Sequence, residues 1–410
     1  MMANSMTQLS GADQRPDANQ RPDANQLSDA DRLAAIAAAF AGSHPVRAVR
    51  PLGHGNINAT FRVERAGGEP FVLQCLNTAV FPQPRRVMTN LLVVGRHVEA
   101  RLGREGASAD RSRPWVFPRV LASASGEPWL ETEGEFWRAM RFVPSTISPE
   151  KLETPAQARE VGYGLGRFHD LLHDLPCDQL ADTLEGFHIT PLYLERYRAV
   201  CDAAGAAGPD RGERAASTTG PDAEREDWAH RFIAERAAWA GVLEEAKAAG
   251  TLPLRPIHGD PKVNNVLLDA ASGQAVALVD LDTVKPGLVH YDIGDGLRSG
   301  CNPLGEETTA FEAVHFDLGL CEALLEGYGA AAHRFLSAAD HRYLFDAIRL
   351  LSYELGVRFF TDHLAGDVYF HTRRPGQNLD RALVQFHLTA SIEAQEREIR
   401  GLLARLKEAR

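Results

Sequence analysis

HGDPKVNNVLLDAASGQAVALVDLD, residues 258–282, is the most specific part of this 410-residue chain. A short polar loop carries Asp260 and, five residues later, Asn265. A strand-like run over 274–279 follows and ends at a second carboxylate, Asp280. A strand in that position would carry Asp280 back beside Asp260, so we expect the loop and the strand end to share one site.

These residue types match the needs of phosphoryl transfer. That reaction requires a group that orients and deprotonates the acceptor hydroxyl, and metal ions that hold and neutralise the triphosphate. Asp260 suits the first role, and Asn265 and Asp280 offer the oxygen ligands that Mg²⁺ prefers. Lys262 can place a positive charge against the migrating phosphate, where exclusion of water strengthens its effect. The pattern therefore predicts a kinase site that uses ATP and Mg²⁺.

The spacing follows the protein-kinase pattern only in part. The loop at 258–265 keeps the register of H-R-D-x-x-x-x-N, in which the Asp is the base and the Asn binds metal. Residues 279–282 read V-D-L-D in place of D-F-G, and no A-P-E follows. In an extended strand alternate side chains share a face, so Asp280 and Asp282 are expected to point together towards the metal. An ordinary turn followed by a solvated strand end is the alternative.

The motif HGDxxxxN, followed by a strand and D-x-D, resembles the aminoglycoside phosphotransferase and choline kinase superfamily. Within it, three segments resemble the N-acetylhexosamine 1-kinases: HGDPKVNNVLLD, LVDLDTVKPGLVHYDIGDGLRSG and RFFTDHLAGDVYF. The similarity extends from about Pro51 to about Glu393, and residues 258–300 are its most specific part. The resemblance thus covers most of the chain.

This resemblance implies a bilobal, protein-kinase-like α+β fold, with a small antiparallel-sheet N-lobe and a mostly helical C-lobe. It also implies ATP and Mg²⁺ as cofactors, and transfer of the γ-phosphate to the anomeric hydroxyl of N-acetylglucosamine or N-acetylgalactosamine. Carried over by motif, Asp260 would be the base, and Asn265 and Asp280 would be the metal ligands. Arg358 and Tyr369 would be sugar contacts.

A glycine-bearing turn in the amino-terminal half is the candidate phosphate loop. Gly53, Gly55 and Asn56 lie in this turn, and β-prone runs at 59–63 and 70–74 follow it. Glycines there would let the backbone approach the phosphates, but a plain hairpin fits the same pattern. Both interpretations stay open at this point.

The third strand ends on an amide where the general kinase pattern has the phosphate-pairing lysine. Gln74 holds that position, and Asn90 lies in the following helix, about residues 86–102, where a glutamate partner would be sought. An amide can donate to a phosphate oxygen while a second amide orients it, so we predict a neutral pair of Gln74 with Asn90. The alternative is that Gln74 is a surface residue at the strand end.

Composition divides the chain into a tail and two lobes. Residues 1–26 are polar and repeat RPDANQ, so they are expected to be disordered. We expect an N-lobe over 27–143 that begins with a helix, and a C-lobe over 144–410 that carries the polar loop and the acceptor site. An Ala-, Gly- and Asp-rich segment at 201–225 lacks periodicity and is predicted to be a flexible insertion.

Hydrophobic periodicity predicts the elements of both lobes. Further β segments are expected at 115–122 and 128–142. A helix from Ser28 is expected to pack on the small lobe. Other helices are expected at about 155–174, 227–249, 309–329, 338–364 and 378–407, and the last three would wall the acceptor pocket.

Side chains near the carboxy terminus are the candidate acceptor contacts. Arg358 and Tyr369 lie where a helix ends and a loop begins, and they supply the planar donors and the hydroxyl-bearing aromatic face that suit a sugar. Asp295 is a further candidate, expected to face the sugar. Asp292 would cap the next helix or brace the polar loop. From the residues alone, an ion pair of Arg358 with an acid and packing of Tyr369 in the core are favoured.

Charge and cysteine content disfavour several classes of partner. The formal net charge of −11 argues against nucleic acid and anionic membranes, which an acidic surface repels. Five cysteines without a C-x-x-C motif predict neither a zinc site nor a disulfide framework, as in a reducing cytosol. No signal peptide or membrane span is visible, so a cytoplasmic location is expected. The oligomeric state stays open.

Three functions are consistent with these patterns. The first is an N-acetylhexosamine 1-kinase, and the second is a kinase of the same superfamily acting on an aminoglycoside, choline, homoserine or another sugar. The third is a non-catalytic, nucleotide-binding pseudokinase used in interaction, which the complete set of Asp260, Asn265 and Asp280 disfavours. A choline-type acceptor would require an aromatic cage, and a polycationic aminoglycoside a strongly acidic groove. The resemblance at 358–370 favours the first.

Overall fold

The computed structural model of the chain describes residues 29–53, 57–105, 113–206, 221–332 and 336–408. The predicted disordered tail lies outside this part of the chain. Gly55 and Asn56 of the glycine-bearing turn also lie outside it, so their predicted contact with phosphate stays a prediction.

The N-lobe is built around one β-sheet. Five strands lie in this antiparallel sheet in the order β1-β2-β3-β6-β4, and β5 pairs with β6. Two smaller sheets, β10-β9-β7 and β11-β8, follow. In the described part of the chain the strands are β1 Val46–Pro51, β2 Ala59–Arg65, β3 Gly68–Leu76, β4 Val120–Leu121, β5 Leu130–Thr132, β6 Glu135–Arg141, β7 Thr146–Ile147, β8 Arg255–Ile257, β9 Val266–Asp269, β10 Ala275–Leu278 and β11 Lys285–Gly287.

Helices dominate after β7, so the predicted α+β class is confirmed. Two helices precede or interrupt the N-lobe sheet, and the others form the C-lobe. Over the same described residues the α-helices are α1 Asp29–Ala38, α2 Pro84–Glu105, α3 Pro155–Leu172, α4 Thr190–Ala206, α5 Pro221–Arg236, α6 Val242–Ala248, α7 Val289–Gly300, α8 Leu318–Ala332, α9 Ala338–Ala365, α10 Gln377–Ala394 and α11 Glu396–Glu408.

The two faces of the N-lobe sheet have different neighbours. Successive side chains of a strand point to opposite faces, and β3 and β6 are paired so that Gln74 lies opposite Arg138. One face contacts α1, and the cluster there contains Ile36, Ala37, Phe40, Ala41, Val63, Phe71, Leu73, Trp137 and Ala139. The predicted packing of α1 on the small lobe is therefore confirmed. The other face contributes Leu76, Phe136 and Met140 to the main core together with α2.

Glycines allow α3 and α8 to pack closely in the C-lobe. A Cβ on Gly162 would lie 1.9 Å from the carbonyl oxygen of Leu324, and a Cβ on Gly327 would lie 1.8 Å from that of Arg159. Such distances are far inside van der Waals contact, so only glycine fits at either position. The two helices form the layer on which the sheet β10-β9-β7 rests, through the contacts of α3 with β9 and β10.

Several predicted segments have different bounds in the structure. The proposed flexible insertion at 201–225 is wrong at both ends, because α4 continues to Ala206 and α5 begins at Pro221. Residues 207–220 lie outside the described part. The single helix expected at 227–249 is broken by a 3₁₀ turn at Ala237–Trp239.

Two further segments needed correction. The β segment at 128–142 is a hairpin rather than one strand, because Glu133 and Gly134 both have positive φ, 51° and 79°, and reverse the chain. The helix expected at 309–329 begins only at Leu318, after a short 3₁₀ turn at Phe311–Ala313.

All five cysteines lie in the described part of the chain, and each is free. None of the described helices combines the length and the apolar character needed to cross a membrane.

Candidate active site

The side chain of Asp292, on α7, binds the backbone of the polar loop. Its Oδ2 accepts from the amide of His258 at 2.6 Å, and its Oδ1 accepts from the amide of Gly259 at 2.8 Å. Asp292 is fully buried, and its Oδ2 also contacts Nε2 of His169 at 2.9 Å. Of the two roles predicted for Asp292, bracing of the polar loop is therefore confirmed.

Gly259 is required where the loop turns. Its φ is +88°, and an added Cβ would lie 2.7 Å from the carbonyl oxygen of Thr283. The hydroxyl of Thr283 in turn donates to the carbonyl of His258 at 2.7 Å. The polar loop and the segment after β10 are thus in direct contact.

His258 makes a second link between these two segments. Its Nε2 donates to the carbonyl of Val279 at 2.9 Å, and its Nδ1 accepts from the amide of Asp260 at 3.2 Å. This pattern requires the neutral ring with hydrogen on Nε2. Burial lowers the pKa of His258 and so favours the same form. The ring fixes the residue before Asp280 beside the loop that carries Asp260.

Asp260 is ionised and paired with Lys262. The ammonium Nζ of Lys262 lies 2.8 Å from Oδ2 of Asp260, and the two side chains are 41% and 22% exposed. Burial acts to raise the pKa of Asp260, but the charge and the hydrogen bond of Lys262 outweigh it, so that this pKa is lowered. An ionised carboxylate at the open side of the loop can accept a proton.

Asn265 lies next to both acids. Its Nδ2 donates to the carbonyl of Asp260 at 2.7 Å, and its own backbone carbonyl accepts from the amide of Val279 at 2.9 Å. The carbonyl acceptor requires the amide nitrogen on that side, which leaves Oδ1 of Asn265 as the atom that can serve as a ligand.

Asp280 does not continue the preceding strand. β10 ends at Leu278, Asp280 is left-handed with φ 64° and ψ 55°, and a 3₁₀ turn covers Leu281–Thr283. The expectation that Asp280 and Asp282 share one face of an extended strand is therefore wrong. Burial, with the nearby charges of Asp282 and Asp260, raises the pKa of Asp280 to about 7. Carboxylates crowded in this way are stabilised by a cation.

Asp282 faces the N-lobe. It is 3% exposed, its Oδ2 accepts from Nδ2 of Asn58 at 2.6 Å, and its Oδ1 forms an ion pair with Nη2 of Arg138. Both carboxylate oxygens thus contact residues of the sheet. Asn58 also accepts from the amide of Asn77 at 2.9 Å, which joins the end of the glycine-bearing turn to β3.

The predicted pair of Gln74 with Asn90 is wrong. Oε1 of Gln74 accepts from Nε and Nη2 of Arg138 at 3.0 and 2.8 Å, and Nε2 of Gln74 donates to Oγ1 of Thr60 at 3.0 Å. Asn90 is buried elsewhere and binds the backbone of Ala181 and Val284. It connects α2 to the C-lobe.

Arg138 was missed by the sequence reasoning, although its pattern contains a signal. In E-F-W-R-A-M-R, residues 135–141, strict alternation places Arg138 on the same face as Phe136 and Met140. An arginine flanked by inward-facing apolar residues is buried, and a buried arginine requires partners.

A cavity of about 270 Å³ is lined by two of the predicted acceptor contacts. The structure brings Arg358 and Tyr369 together in its wall, and the guanidinium of Arg358 lies over the rings of Phe187, Tyr193 and Phe370 at 5.1, 5.1 and 5.4 Å. Burial acts to lower the pKa of Arg358, but the neighbouring Tyr193, Glu354 and Asp260 outweigh it and raise the pKa. The lining residues are Leu184, Glu185, Gly186, Phe187, Leu192, Tyr193, Arg196, Arg358, Thr361, Asp362, Tyr369 and Phe370.

The loop that carries Tyr369 is organised by Asp362, a second residue missed by the sequence reasoning. Oδ1 of Asp362 accepts from the amides of Val368 and Tyr369 at 3.1 and 2.8 Å, and Oδ2 accepts from the amide of Phe370 at 2.9 Å. Nδ2 of Asn378 also donates to Oδ2 at 3.0 Å. An acid just before a helix-ending glycine, in D-H-L-A-G, was the available signal.

His188 connects α9 to the polar loop. Its Nδ1 contacts Oε1 of Glu354 at 2.9 Å, and its Nε2 contacts the carbonyl of Gly259 at 2.6 Å. Glu354 lies one turn before Arg358 on α9. Burial acts to lower the pKa of His188, but Glu354 and other acceptors outweigh it and raise the pKa. This link had no local sequence signal.

Asp295 lies in the floor of the site with one oxygen engaged. Its Oδ1 accepts from Nε and Nη2 of Arg298 at 2.8 Å, whereas its buried Oδ2 has no hydrogen-bond partner among the described residues. Whether Asp295 contacts the acceptor stays a prediction.

The donor set fits Mg²⁺ only with oxygens from a second source. In the described part of the chain, no group of three His, Cys, Asp or Glu side chains could hold a metal ion on its own. Asn265 and Asp280 nevertheless offer an amide oxygen and a crowded carboxylate at one place. Mg²⁺ is commonly bound by one or two carboxylates together with substrate phosphates and water.

A family model described as the phosphotransferase enzyme family matches residues 48–343. Among solved structures, an aminoglycoside phosphotransferase from Alicyclobacillus acidocaldarius has a TM-score of 0.55 at 18% identity, over 92% of this chain and 95% of that one. A microcompartment-associated aminopropanol kinase has a TM-score of 0.54 at 15% identity, over 90% and 98%. An ethanolamine kinase of Plasmodium vivax has a TM-score of 0.51 at 10% identity, over 86% and 84%. The predicted bilobal, kinase-like fold is confirmed.

Proposed function

Because the chain belongs to the phosphotransferase enzyme family, we propose that it is a Mg²⁺-dependent ATP kinase that phosphorylates the anomeric hydroxyl of an N-acetylhexosamine. Family membership identifies an enzyme that transfers phosphate to a hydroxyl group, so the non-catalytic alternative is not carried forward. The proposal adds the nucleotide, the metal and the acceptor.

The residues of the polar loop have separate roles in this proposal. Asp260 accepts the proton of the acceptor hydroxyl, since it is ionised and lies at the open side of the loop. Lys262 keeps Asp260 ionised and places positive charge where the phosphate passes. Asn265 and Asp280 would hold Mg²⁺, which when bound neutralises the triphosphate and orients it.

The acceptor is proposed from the surroundings of Arg358. An ammonium acceptor is recognised by aromatic rings that enclose its charge. Here the three rings suited to that task already contact the guanidinium of Arg358. A cationic acceptor would meet this positive charge, whereas a neutral sugar can accept hydrogen bonds from it. This single observation favours an N-acetylhexosamine over choline, ethanolamine or an aminoglycoside.

The size of the cavity supports the same choice. Its volume of about 270 Å³ lies at the lower end of ligand pockets, which span roughly 300–1,000 Å³. A single hexose ring suits such a volume better than the several rings of an aminoglycoside. Tyr369 is 44% exposed and lines the same cavity.

An ATP-consumption screen tests the proposed acceptor. The panel contains N-acetylglucosamine, N-acetylgalactosamine, the unacetylated hexoses, choline, ethanolamine and an aminoglycoside. We expect turnover with the two N-acetylhexosamines, and ³¹P and ¹H NMR should place the phosphate on C1. Turnover with a cationic acceptor, and none with either acetylated sugar, would contradict the acceptor proposal and leave the kinase assignment intact.

Replacement of the proposed base tests the mechanism. We expect Asp260→Asn to lower kcat by about 10²–10⁴-fold, the usual contribution of a general base. ATP binding should persist, because the variant keeps Asn265 and Asp280. Asp269→Asn is the matched control, since Asp269 holds only its own turn through Ser272. Near wild-type turnover in Asp260→Asn would show that another group accepts the proton.

A further inference from the structure

A fully buried arginine lies where the sheet of the N-lobe meets the proposed nucleotide site. Arg138 on β6 has no exposed surface and lies opposite Gln74 of β3 in the strand register. Alternation along β6 directs its side chain to the face that contacts α2 and the C-lobe, not to the face covered by α1. The guanidinium therefore points towards the contact between the lobes.

Among the described residues, the contacts of Arg138 use two of its three guanidinium nitrogens. Nε and Nη2 donate to Oε1 of Gln74, and Nη2 also pairs with Oδ1 of Asp282. Nη1 is buried and has no hydrogen-bond partner among the described residues. A buried donor without an acceptor costs about 1–3 kcal/mol, more for a charged group, so an additional acceptor would be stabilising.

Gln74 is engaged at both atoms of its amide. Its Nε2 donates to the hydroxyl of Thr60 on β2, and its Oε1 accepts from Arg138. The amide thus orients the guanidinium. Gln74, the neutral residue near the end of β3, therefore supports the positive charge of Arg138 on the neighbouring strand β6.

Arg138 also lies between the two segments that would flank a triphosphate. Asp282, its ion-pair partner, follows two residues after the proposed metal ligand Asp280. Asn58, which donates to the same carboxylate, lies five residues after Gly53, at the end of the glycine-bearing turn. The positive charge of Arg138 acts on Asp280 as well.

We propose that Arg138 is the residue that binds the nucleotide phosphates, replacing the lysine that the third strand lacks, and that Gln74 positions it. Guanidinium groups bind phosphate oxygens through two parallel N–H donors, and they stay charged when buried. Nη1 of Arg138 would meet the phosphate while Nη2 keeps its contact with Asp282. The inference rests on the proposed use of ATP, but not on the identity of the acceptor.

Equilibrium binding without an acceptor tests this proposal. Calorimetry with Mg²⁺ compares ATP with adenosine, which shares the base and the ribose but lacks phosphate. We expect Arg138→Met to weaken ATP binding by about 10–100-fold, the loss of a charged hydrogen bond of about 1.5–3 kcal/mol. Adenosine binding should change by less than about twofold, because the base and the ribose lose no contact.

Four further variants separate the phosphate contact from a structural role. Arg138→Met leaves the charge of Asp282 buried without its cation, so the double variant Arg138→Met/Asp282→Asn removes both charges. Like Arg138→Met, it should bind ATP more weakly and adenosine almost unchanged. Asp282→Asn alone keeps the arginine and should retain ATP binding. Gln74→Lys/Arg138→Met returns a cation to the third strand and should restore part of the affinity. The melting temperature of each variant is measured first. If the methionine variants unfold, Arg138→Lys takes their place, and with its single point charge it should bind ATP more weakly than the wild type.

Each result bears on a different statement. If Arg138→Met weakens the binding of ATP and adenosine equally, the role of Arg138 is overturned. The same holds if Arg138→Met/Asp282→Asn prefers ATP over adenosine as strongly as the wild type does. Either result would leave the kinase proposal standing. A wild-type protein that binds neither ATP nor adenosine would overturn both the role of Arg138 and the kinase proposal. Selective loss of ATP with rescue by Gln74→Lys would support the proposal, whichever acceptor is phosphorylated.

Discussion

His188 has a hydrogen-bond acceptor at each ring nitrogen. Oε1 of Glu354 lies at one nitrogen and the carbonyl of Gly259 at the other. A neutral ring can donate to only one of them, whereas the imidazolium satisfies both. Oε2 of Glu354 accepts from the hydroxyl of Thr190 at 2.7 Å, so the carboxylate is itself held in place. The pair therefore orients the residue next to Asp260.

The direction of both pKa shifts predicts a pH window for this pair. The pKa of His188 is raised above 6.5, so its stabilising contribution is complete below 6.5 and is lost as pH rises through the raised value. The pKa of Glu354 is lowered below 4.5, so its contribution is present above 4.5 and is lost as pH falls through the lowered value. Asp295 and the stacked ring of Tyr291 also face His188.

We expect His188→Gln to lower the free energy of unfolding by about 3–5 kcal/mol between pH 4.5 and 6.5, as for other broken buried pairs. The difference from wild type should shrink as pH rises above the raised pKa, as measured by urea unfolding at several pH values. His97→Gln is the control, because the pair of His97 with Asp174 is partly exposed and worth about 0–1 kcal/mol. A loss that does not vary with pH would contradict the ionised form of His188.

At the scale of single elements, the loop after α9 depends on one side chain. Asp362 accepts from three consecutive backbone amides and thereby fixes the position of Tyr369. We expect Asp362→Ala to raise the acceptor KM about tenfold with little change in the ATP KM, because the loop loses charged hydrogen bonds of about 1.5–3 kcal/mol.

A double-mutant cycle with Tyr369 checks that Asp362 acts through the loop. If Asp362 only positions Tyr369, adding Asp362→Ala to Tyr369→Ala should raise the acceptor KM no further. Additive effects would instead indicate that Asp362 touches the acceptor, since it also lines the cavity.

The close contact of α3 with α8 gives a second prediction for an element. We expect Gly327→Ala to destabilise the protein by about 1–3 kcal/mol or more, because the new methyl group would overlap the carbonyl of Arg159. Gly103→Ala is the control on an exposed position of α2, where nothing lies within 4 Å, and should stabilise by about 0.5–1 kcal/mol. Thermal unfolding of both variants measures the difference, and equal effects would contradict the packing argument.

Across the whole molecule, local patterns were predictable and long-range contacts were not. The polar loop, the strands at 59–63 and 70–74 and most helices follow from motif and periodicity, because neighbours in sequence determine them. Gln74 and Arg138 are 64 positions apart, and His188 and Glu354 are 166 apart. Their pairing depends on strand register and helix packing, which no single segment encodes.

The wrong pair of Gln74 with Asn90 has the same cause. Both amides were assigned by analogy with the positions of a charged pair, but Asn90 on α2 faces the C-lobe backbone at Ala181 and Val284. Asn90 and Asp282 thus supply two of the polar contacts that join the lobes. Tertiary packing decided which side chains meet.

The interlocking of the polar loop with the segment after β10 has a consequence for how this region opens. His258 binds Val279, Asn265 accepts from the amide of Val279, and Thr283 donates to His258, so neither segment can detach alone. Amides that share such ties should exchange with deuterium at one common rate, set by a single cooperative opening. The entropic cost of ordering the site therefore arises during folding. Substrates then bind to a site that is already preorganised.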